Sequence, residues 1–176
     1  MAVLVIVGLA RSGKDTVADY LAEKYKYYKL TFSSMLSELL ENKGIPATKQ
    51  SMIELGDELR KEFGMDAIAK LLEKKILRDD KLVLVGPRSI EEIDYFRKKY
   101  PGLKVIRVNA VEQNRYTRRS RIDPNEKGDF LGRDEADLKT KGMQKVLDAA
   151  QYEITNDDNR EKLYVQIDEL VKKIGG

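Results

Sequence analysis

The chain opens on six consecutive apolar residues, Ala2-Val3-Leu4-Val5-Ile6-Val7, and breaks at Gly8. An apolar run without alternation predicts a strand buried on both faces of a parallel sheet. The period then changes. Over residues 15–26, Val17, Ala18, Leu21 and Ala22 fall on one side of a 3.6-residue repeat, which predicts a helix. Tyr28 to Phe32 predicts a second, short strand, and Ser33 opens a helical stretch over 34–42 that Gly44-Ile45-Pro46 ends. Helices are predicted over 49–63 and 66–77, parted by Gly64. Leu82-Val83-Leu84-Val85 reads as a third buried strand, stopped by Gly86-Pro87 and followed by a helix over 90–99. Residues 103–108 form a fourth strand in the same pattern, followed by a very basic helix over 111–121 and a polar loop at 123–128. The stretch 130–147 reads as mostly helical, 152–155 as a fifth strand and 160–174 as a closing helix. Strands alternate with helices, and no repeat or linker divides the chain. The expectation is one α/β domain of three layers around a five-stranded parallel sheet, with ligands at the carboxyl ends of its strands.

Composition narrows the chemistry. With 176 residues, 41% of them hydrophobic, the chain is long enough for one proper core. Its 33 basic and 30 acidic residues leave a net charge of only +3, which argues against nucleic acid as the main partner. There is no Cys and no His. Disulfides, thiolate nucleophiles, Ser-His triads and HExxH zinc sites are therefore excluded. Chemistry has to run on Lys, Arg, Asp, Glu, Ser and Thr, the residues that serve phosphoryl transfer. The run 2–7 is far too short to span a membrane and lacks the flanks of a signal peptide, so no membrane partner and a cytoplasmic location are expected.

Gly8-Leu9-Ala10-Arg11-Ser12-Gly13-Lys14-Asp15 lies between the first strand and the first helix. This is the G-x-x-x-x-G-K pattern of a phosphate loop, or Walker A motif, whose glycines let backbone N–H groups turn inward onto a polyphosphate. Gly8, Ala10, Arg11, Ser12, Gly13, Lys14, Asp15 and Thr16 are the candidate ATP-binding residues, with Lys14 reaching the β- and γ-phosphates. The residue after the lysine is normally Ser or Thr, ligating Mg²⁺; here it is Asp15. Thr16 is one step further round the helix and cannot simply take over. The third strand also lacks the usual acidic residue at its carboxyl end, where Val85-Gly86-Pro87-Arg88 stands, and Asp79 and Asp80 lie at the opposite end. Asp15 is therefore the candidate metal-directed carboxylate, with the alternative that it is only a favourable first-turn acid.

The arginines supply candidate cations. Arg88 follows the third strand at the ligand edge and can grip a phosphate, or else pair with Glu91 or Glu92. Arg60 lies on a helix between the second and third strands, either for an acceptor or on a solvated face. Arg115, Arg118 and Arg119 fall at i, i+3 and i+4, with Arg121 and Arg133 beyond, as in a basic lid closing on a phosphoryl group. Arg115, Arg119 and Arg121, with Lys14 and Arg88, are the candidate catalytic cations. Ser33 and Ser34 are candidate acceptor residues beside Arg60 and Arg88, and Asn156, after the fifth strand, is placed near the nucleobase.

Taken in order, Gly8 to Asp15, Gly56-Asp57-Glu58-Leu59-Arg60 with Phe63-Gly64, Gly86-Pro87-Arg88-Ser89 with Glu91-Glu92, Arg133-Asp134 and Ile154-Thr155-Asn156 resemble the P-loop nucleotide kinases. The nearest likeness is to the archaeal adenylate-kinase-like family related to dephospho-CoA kinases, and the Ser-Gly-Lys-Asp-Thr loop also resembles phage-type deoxynucleoside monophosphate kinases. The resemblance implies a P-loop NTPase fold of nucleotide-kinase type, an acceptor-binding helical segment at about 33–78 and a lid at about 115–134. It implies ATP and Mg²⁺ as cofactors, a small nucleotide acceptor, and a monomer or homodimer. Ser33-Ser34 stands where dephospho-CoA kinases carry an acidic base, which favours a nucleoside monophosphate acceptor over dephospho-CoA. The competing expectation is a partner-regulated P-loop ATPase with weak hydrolysis.

Overall fold

The computed structural model describes residues 2–77, 81–120, 123, 125–140 and 142–175. Five strands, β1 (Ala2–Val7), β2 (Tyr28–Thr31), β3 (Lys81–Val85), β4 (Lys104–Asn109) and β5 (Tyr152–Thr155), form one sheet in the order β2-β3-β1-β4-β5, every pairing parallel. The central strand β1 explains its own sequence. Val3, Val5 and Val7 enter the core on one face, whereas Leu4 and Ile6 enter the core on the other. A strand with no solvent face has no polar position to alternate with.

One face is covered by α1 (Lys14–Tyr25) and α9 (Arg160–Ile174), through Val17, Leu21, Leu163 and Ile167. The other is covered by α2 (Phe32–Asn42), α3 (Lys49–Phe63), α4 (Ala67–Glu73), α5 (Ile90–Lys99) and α8 (Met143–Asp148), through residues such as Phe32, Leu36, Ile68, Phe96 and Val146. The five-stranded parallel sheet and its two helical layers match the expected three-layer arrangement. Two further helices, α6 (Glu112–Thr117) and α7 (Lys127–Thr140), follow β4.

Boundaries shift where capping overrides pattern. Phe32, expected to end β2, begins α2, because the Thr31 hydroxyl accepts from the Ser34 N–H and starts the helix there. Thr48 and Ser51 form a reciprocal cap on α3, and Ser89 and Glu92 form another on α5. The helix expected over 66–77 is shorter, at Ala67–Glu73. The stretch expected to be mostly helical over 130–147 is two helices, α7 and α8, the second entered through Gly142 at φ 70°. The basic helix expected over 111–121 ends at Thr117, with Arg118 as its cap. That early stop removes the single cationic face on which Arg115, Arg118 and Arg119 were expected together.

Candidate active site

The loop between β1 and α1 wraps the floor of a cavity of about 930 Å³ at the carboxyl ends of β1 and β3. Two glycines make the loop possible. Gly13 sits at φ 102°, and a Cβ there would lie 2.1 Å from Asn156 Nδ2; a Cβ on Gly8 would lie 2.5 Å from the Val108 carbonyl oxygen. Arg11 also adopts the left-handed region, at φ 61°, a strain found where backbone N–H groups are turned onto a ligand. Asn156, expected near a nucleobase, lines the cavity but spends its amide on the loop. Its Nδ2 donates to the Ser12 carbonyl at 2.9 Å, so it fixes the loop's shape from behind.

Lys14 lies within this cavity and donates to the Leu9 carbonyl at 2.8 Å. Burial and then the neighbouring Arg88 push its ammonium down to about 7. Lys49, the first residue of α3, also lines the cavity and is lowered to about 8, again by burial and then Arg88. Like charges are thus gathered around Arg88, and Asp15 and Asp123 offset them only in part. Two buried polar atoms beside the loop, Ser12 Oγ and Arg118 Nη1, have no partner among the described residues. Ser12, expected at the ATP site, does not line the cavity, whereas Arg118 does, and an orphaned guanidinium donor beside other cations fits a polyphosphate.

Arg88 lines the cavity, as expected, but neither of its anticipated carboxylate partners holds its guanidinium. Its Nη1 pairs with Asp137 of α7 at 2.6 Å, while its backbone N–H donates to Glu92 at 2.7 Å. Glu92 is 0% exposed and also accepts from Nε and Nη2 of Arg60, at 3.1 and 2.8 Å. Burial raises its pKa against the opposing pull of Arg60 and the backbone N–H groups. Arg60 is therefore not on a solvated face; it lines the cavity while clamped to the turn that carries Arg88.

Several expectations for the lid are corrected. Arg115 is 3% exposed and ion-paired to Asp134 at 2.5 Å, with further bonds to the Ala10 and Ala110 carbonyls, so it braces the phosphate loop and does not line the cavity. Arg119 does not line the cavity; its guanidinium lies 4.2 Å from the centre of the Tyr116 ring. Arg121 lies outside the described residues. Arg118, which does line the cavity, donates to the Asn156 carbonyl at 2.7 Å. Arg11 of the loop pairs with Asp123 at 2.5 Å, and Arg133 pairs with the same carboxylate at 3.0 Å. Burial alone would raise Asp123, but bonds from the Ser120 N–H, Arg133 and Arg11 outweigh it and lower its pKa. Ser33 lines the cavity; Ser34 does not, because its hydroxyl turns back to the Thr31 carbonyl at 2.9 Å.

Asp15 and Thr16 both reach the cavity rim. The Asp15 side chain is 69% exposed and ion-paired to Lys29 of β2 at 2.9 Å. Among the described residues no group of three or more His, Cys, Asp or Glu could hold a metal by itself. An oxygen set of one carboxylate and one hydroxyl fits Mg²⁺ carried mainly by substrate phosphates and water, the usual manner of that ion. Sequence reasoning missed Lys49, Asp57, Lys61 and Asp137. For the first three the signal was present, because positions 49, 52, 53, 57, 60 and 61 share one side of a helix.

Among the described residues, no helix is long and apolar enough to cross a membrane. In whole-chain comparison, a UPF0200 protein of Thermococcus onnurineus is 32% identical, covering 98% of this chain and 97% of its own. A second UPF0200 protein, from Methanothrix thermoacetophila, is 30% identical over 98% of this chain and 100% of its own. Shikimate kinase from Bacteroides thetaiotaomicron superimposes with a TM-score of 0.68 at 14% identity, covering 99% of both chains, which identifies the architecture as the P-loop kinase fold. Residues 7–140, well over half of the chain and reaching from the end of β1 through α7, match the family described as AAA domain (AAA_17), and the chain belongs to that family.

Proposed function

We propose that the chain is an ATP- and Mg²⁺-dependent phosphotransferase acting on a small nucleotide acceptor, a nucleoside monophosphate. The observation that carries this reading is one continuous cavity in which Lys14, Lys49 and Arg88 converge between the phosphate loop and the acceptor-side helices α2 and α3. In this reading the loop N–H groups and Lys14 hold the donor's phosphates. Arg88 and Lys49 neutralise the acceptor's phosphate, so that its oxygen can approach the γ-phosphorus as ADP leaves. A phosphate acceptor is already ionised, so positioning and positive charge suffice and no side chain has to take a proton.

Mg²⁺ would supply charge neutralisation on the donor phosphates, with Asp15 and Thr16 as the nearest residues to hold its shell. Asp15→Ala, which leaves no oxygen ligand at that position, is expected to raise the Mg²⁺ concentration needed for half-maximal turnover. Unchanged Mg²⁺ dependence in that variant would assign Asp15 to its Lys29 pair alone.

A second reading is favoured by Asp137. Its carboxylate lines the same cavity on Arg88 and has the chemistry to deprotonate a hydroxyl. Such an acceptor would be a sugar-like or dephospho-CoA-like alcohol. The experiment is ADP formation from MgATP over a panel of ribo- and deoxynucleoside monophosphates and dephospho-CoA, with products resolved by chromatography. A nucleoside monophosphate that accelerates ADP release and emerges as the diphosphate supports the first reading. Phosphorylation of a hydroxyl compound alone moves the assignment to the second, and a flat panel overturns both over the tested set.

A further inference from the structure

One side of α3 forms a wall of the cavity. Lys49, Met52, Ile53, Asp57, Arg60 and Lys61 line it, at spacings that keep them in a single stripe along the helix. The stripe is graded in chemistry. At its start, Lys49 stands among the cations around Arg88 and Lys14. In its middle, Met52 and Ile53 face the same space as Phe32 and Leu36 of α2. Towards its end come Asp57 and Lys61, which make no hydrogen bond or ion pair among the described residues. Arg60, between them, is committed to Glu92. From Lys49 to Asp57 the helix rises about 12 Å, eight residues at 1.5 Å each. A nucleoside monophosphate laid along the stripe puts its phosphate at one end and the outer edge of its base at the other.

We infer that the acceptor lies along α3 with its phosphate at Lys49 and Arg88, its base over Met52 and Ile53, and the base edge read by Asp57 and Lys61, which selects guanine. The inference rests on the nucleoside monophosphate reading above. An ionised carboxylate only accepts hydrogen bonds, and its two oxygens suit two parallel donors. Guanine presents two adjacent donors, N1–H and the 2-amino group, with O6 beside them to accept from an ammonium. Adenine and cytosine present one amino group next to an acceptor nitrogen, and uracil presents a lone N–H between two carbonyls. Thioether side chains suit the face of any base, so Met52 contributes contact without discrimination. Asp57 and Lys61 are exposed in the free protein, so discrimination has to come from the base covering them, after which a missing N–H leaves the carboxylate unpaired.

The test is calorimetric binding of GMP, dGMP, IMP, AMP, CMP and UMP to the intact protein, with the phosphate loop kept filled by a non-hydrolysable ATP analogue and Mg²⁺. GMP and dGMP are expected to bind at least about tenfold more tightly than AMP, CMP and UMP, with IMP between, because it keeps N1–H and lacks the 2-amino group. Asp57→Asn should remove that ranking. Lys49→Met should weaken every monophosphate while leaving the ranking in place. Equal affinities across the bases in the unsubstituted protein would overturn the inference. So would an Asp57→Asn variant that kept the base ranking but weakened GMP more than dGMP, which would put the carboxylate on the sugar. Guanine-selective binding, with no GMP-dependent ADP formation when MgATP replaces the analogue, would uphold the base-reading site and reject the kinase reading.

Discussion

Lys14 and Lys49 carry a consequence that belongs to single residues. Both ammonium groups sit below their ordinary value of 10.5, at about 7 and about 8, because burial penalises their charge and Arg88 repels it. Between those values and 10.5 the unfolded chain binds protons that the folded chain lacks, so their contribution to stability rises with pH through that window and is lost as pH falls through about 8 and then 7. A polyphosphate reverses the imbalance by favouring the charged forms. Binding of ADP at about pH 8 should therefore take up protons, read as a heat that differs between buffers of different ionisation enthalpy, and the uptake should fade well below pH 7. Buffer-independent heats at the higher pH would mean that these lysines stay charged in the free protein. The identity of Lys14 was legible from the loop pattern alone. The lowered basicity was not, because it arises from burial by distant segments of the chain and then from Arg88, 74 positions away in sequence.

The lid is a matter of elements. Helix α7 is tied to the rest of the molecule by Asp134 on Arg115 and Asp137 on Arg88, and Phe130 is buried against Tyr116. Arg115 and Asp134 are the most deeply enclosed of these pairs, and removing one partner leaves the other charge buried and uncompensated. Arg115→Met is expected to cost about 3–5 kcal/mol in denaturant unfolding, and the double variant Arg115→Met/Asp134→Leu appreciably less. A single-variant loss below about 1 kcal/mol would show the pair to be solvated. The sequence displayed five arginines near one another and invited a common ligand-facing role. What decides their direction is which carboxylates the fold delivers to them. Asp134 reaches Arg115 from 19 positions away, and no local periodicity encodes that meeting. By contrast β1, α3, α5, β5 and α9 were legible almost to the residue, because each carries its own apolar period and four of them their own punctuation or caps.

At the scale of the whole molecule, the sheet order puts the phosphate loop on the central strand, and the chain places α2, α3 and α4 between β2 and β3. One cavity is then bounded by that loop and by α2 and α3, as the proposed transfer requires. The same order leaves β2 and β5 as the outer strands. Each is four residues long, Tyr28-Lys29-Leu30-Thr31 and Tyr152-Glu153-Ile154-Thr155, and each carries a charged second position. Lys29 is held by Asp15 and Asp19, and Glu153 faces Arg107 across the ladder. Short borders with charges on them are poor templates for another copy's backbone. The ion pair that occupies Asp15 thus has a colloidal role as well as a chemical one. Replacing Lys29 and Glu153 together with valine should lower the temperature at which the protein scatters light before it changes its cooperative unfolding in dilute solution. Unaltered scattering would mean that border length alone keeps the copies apart.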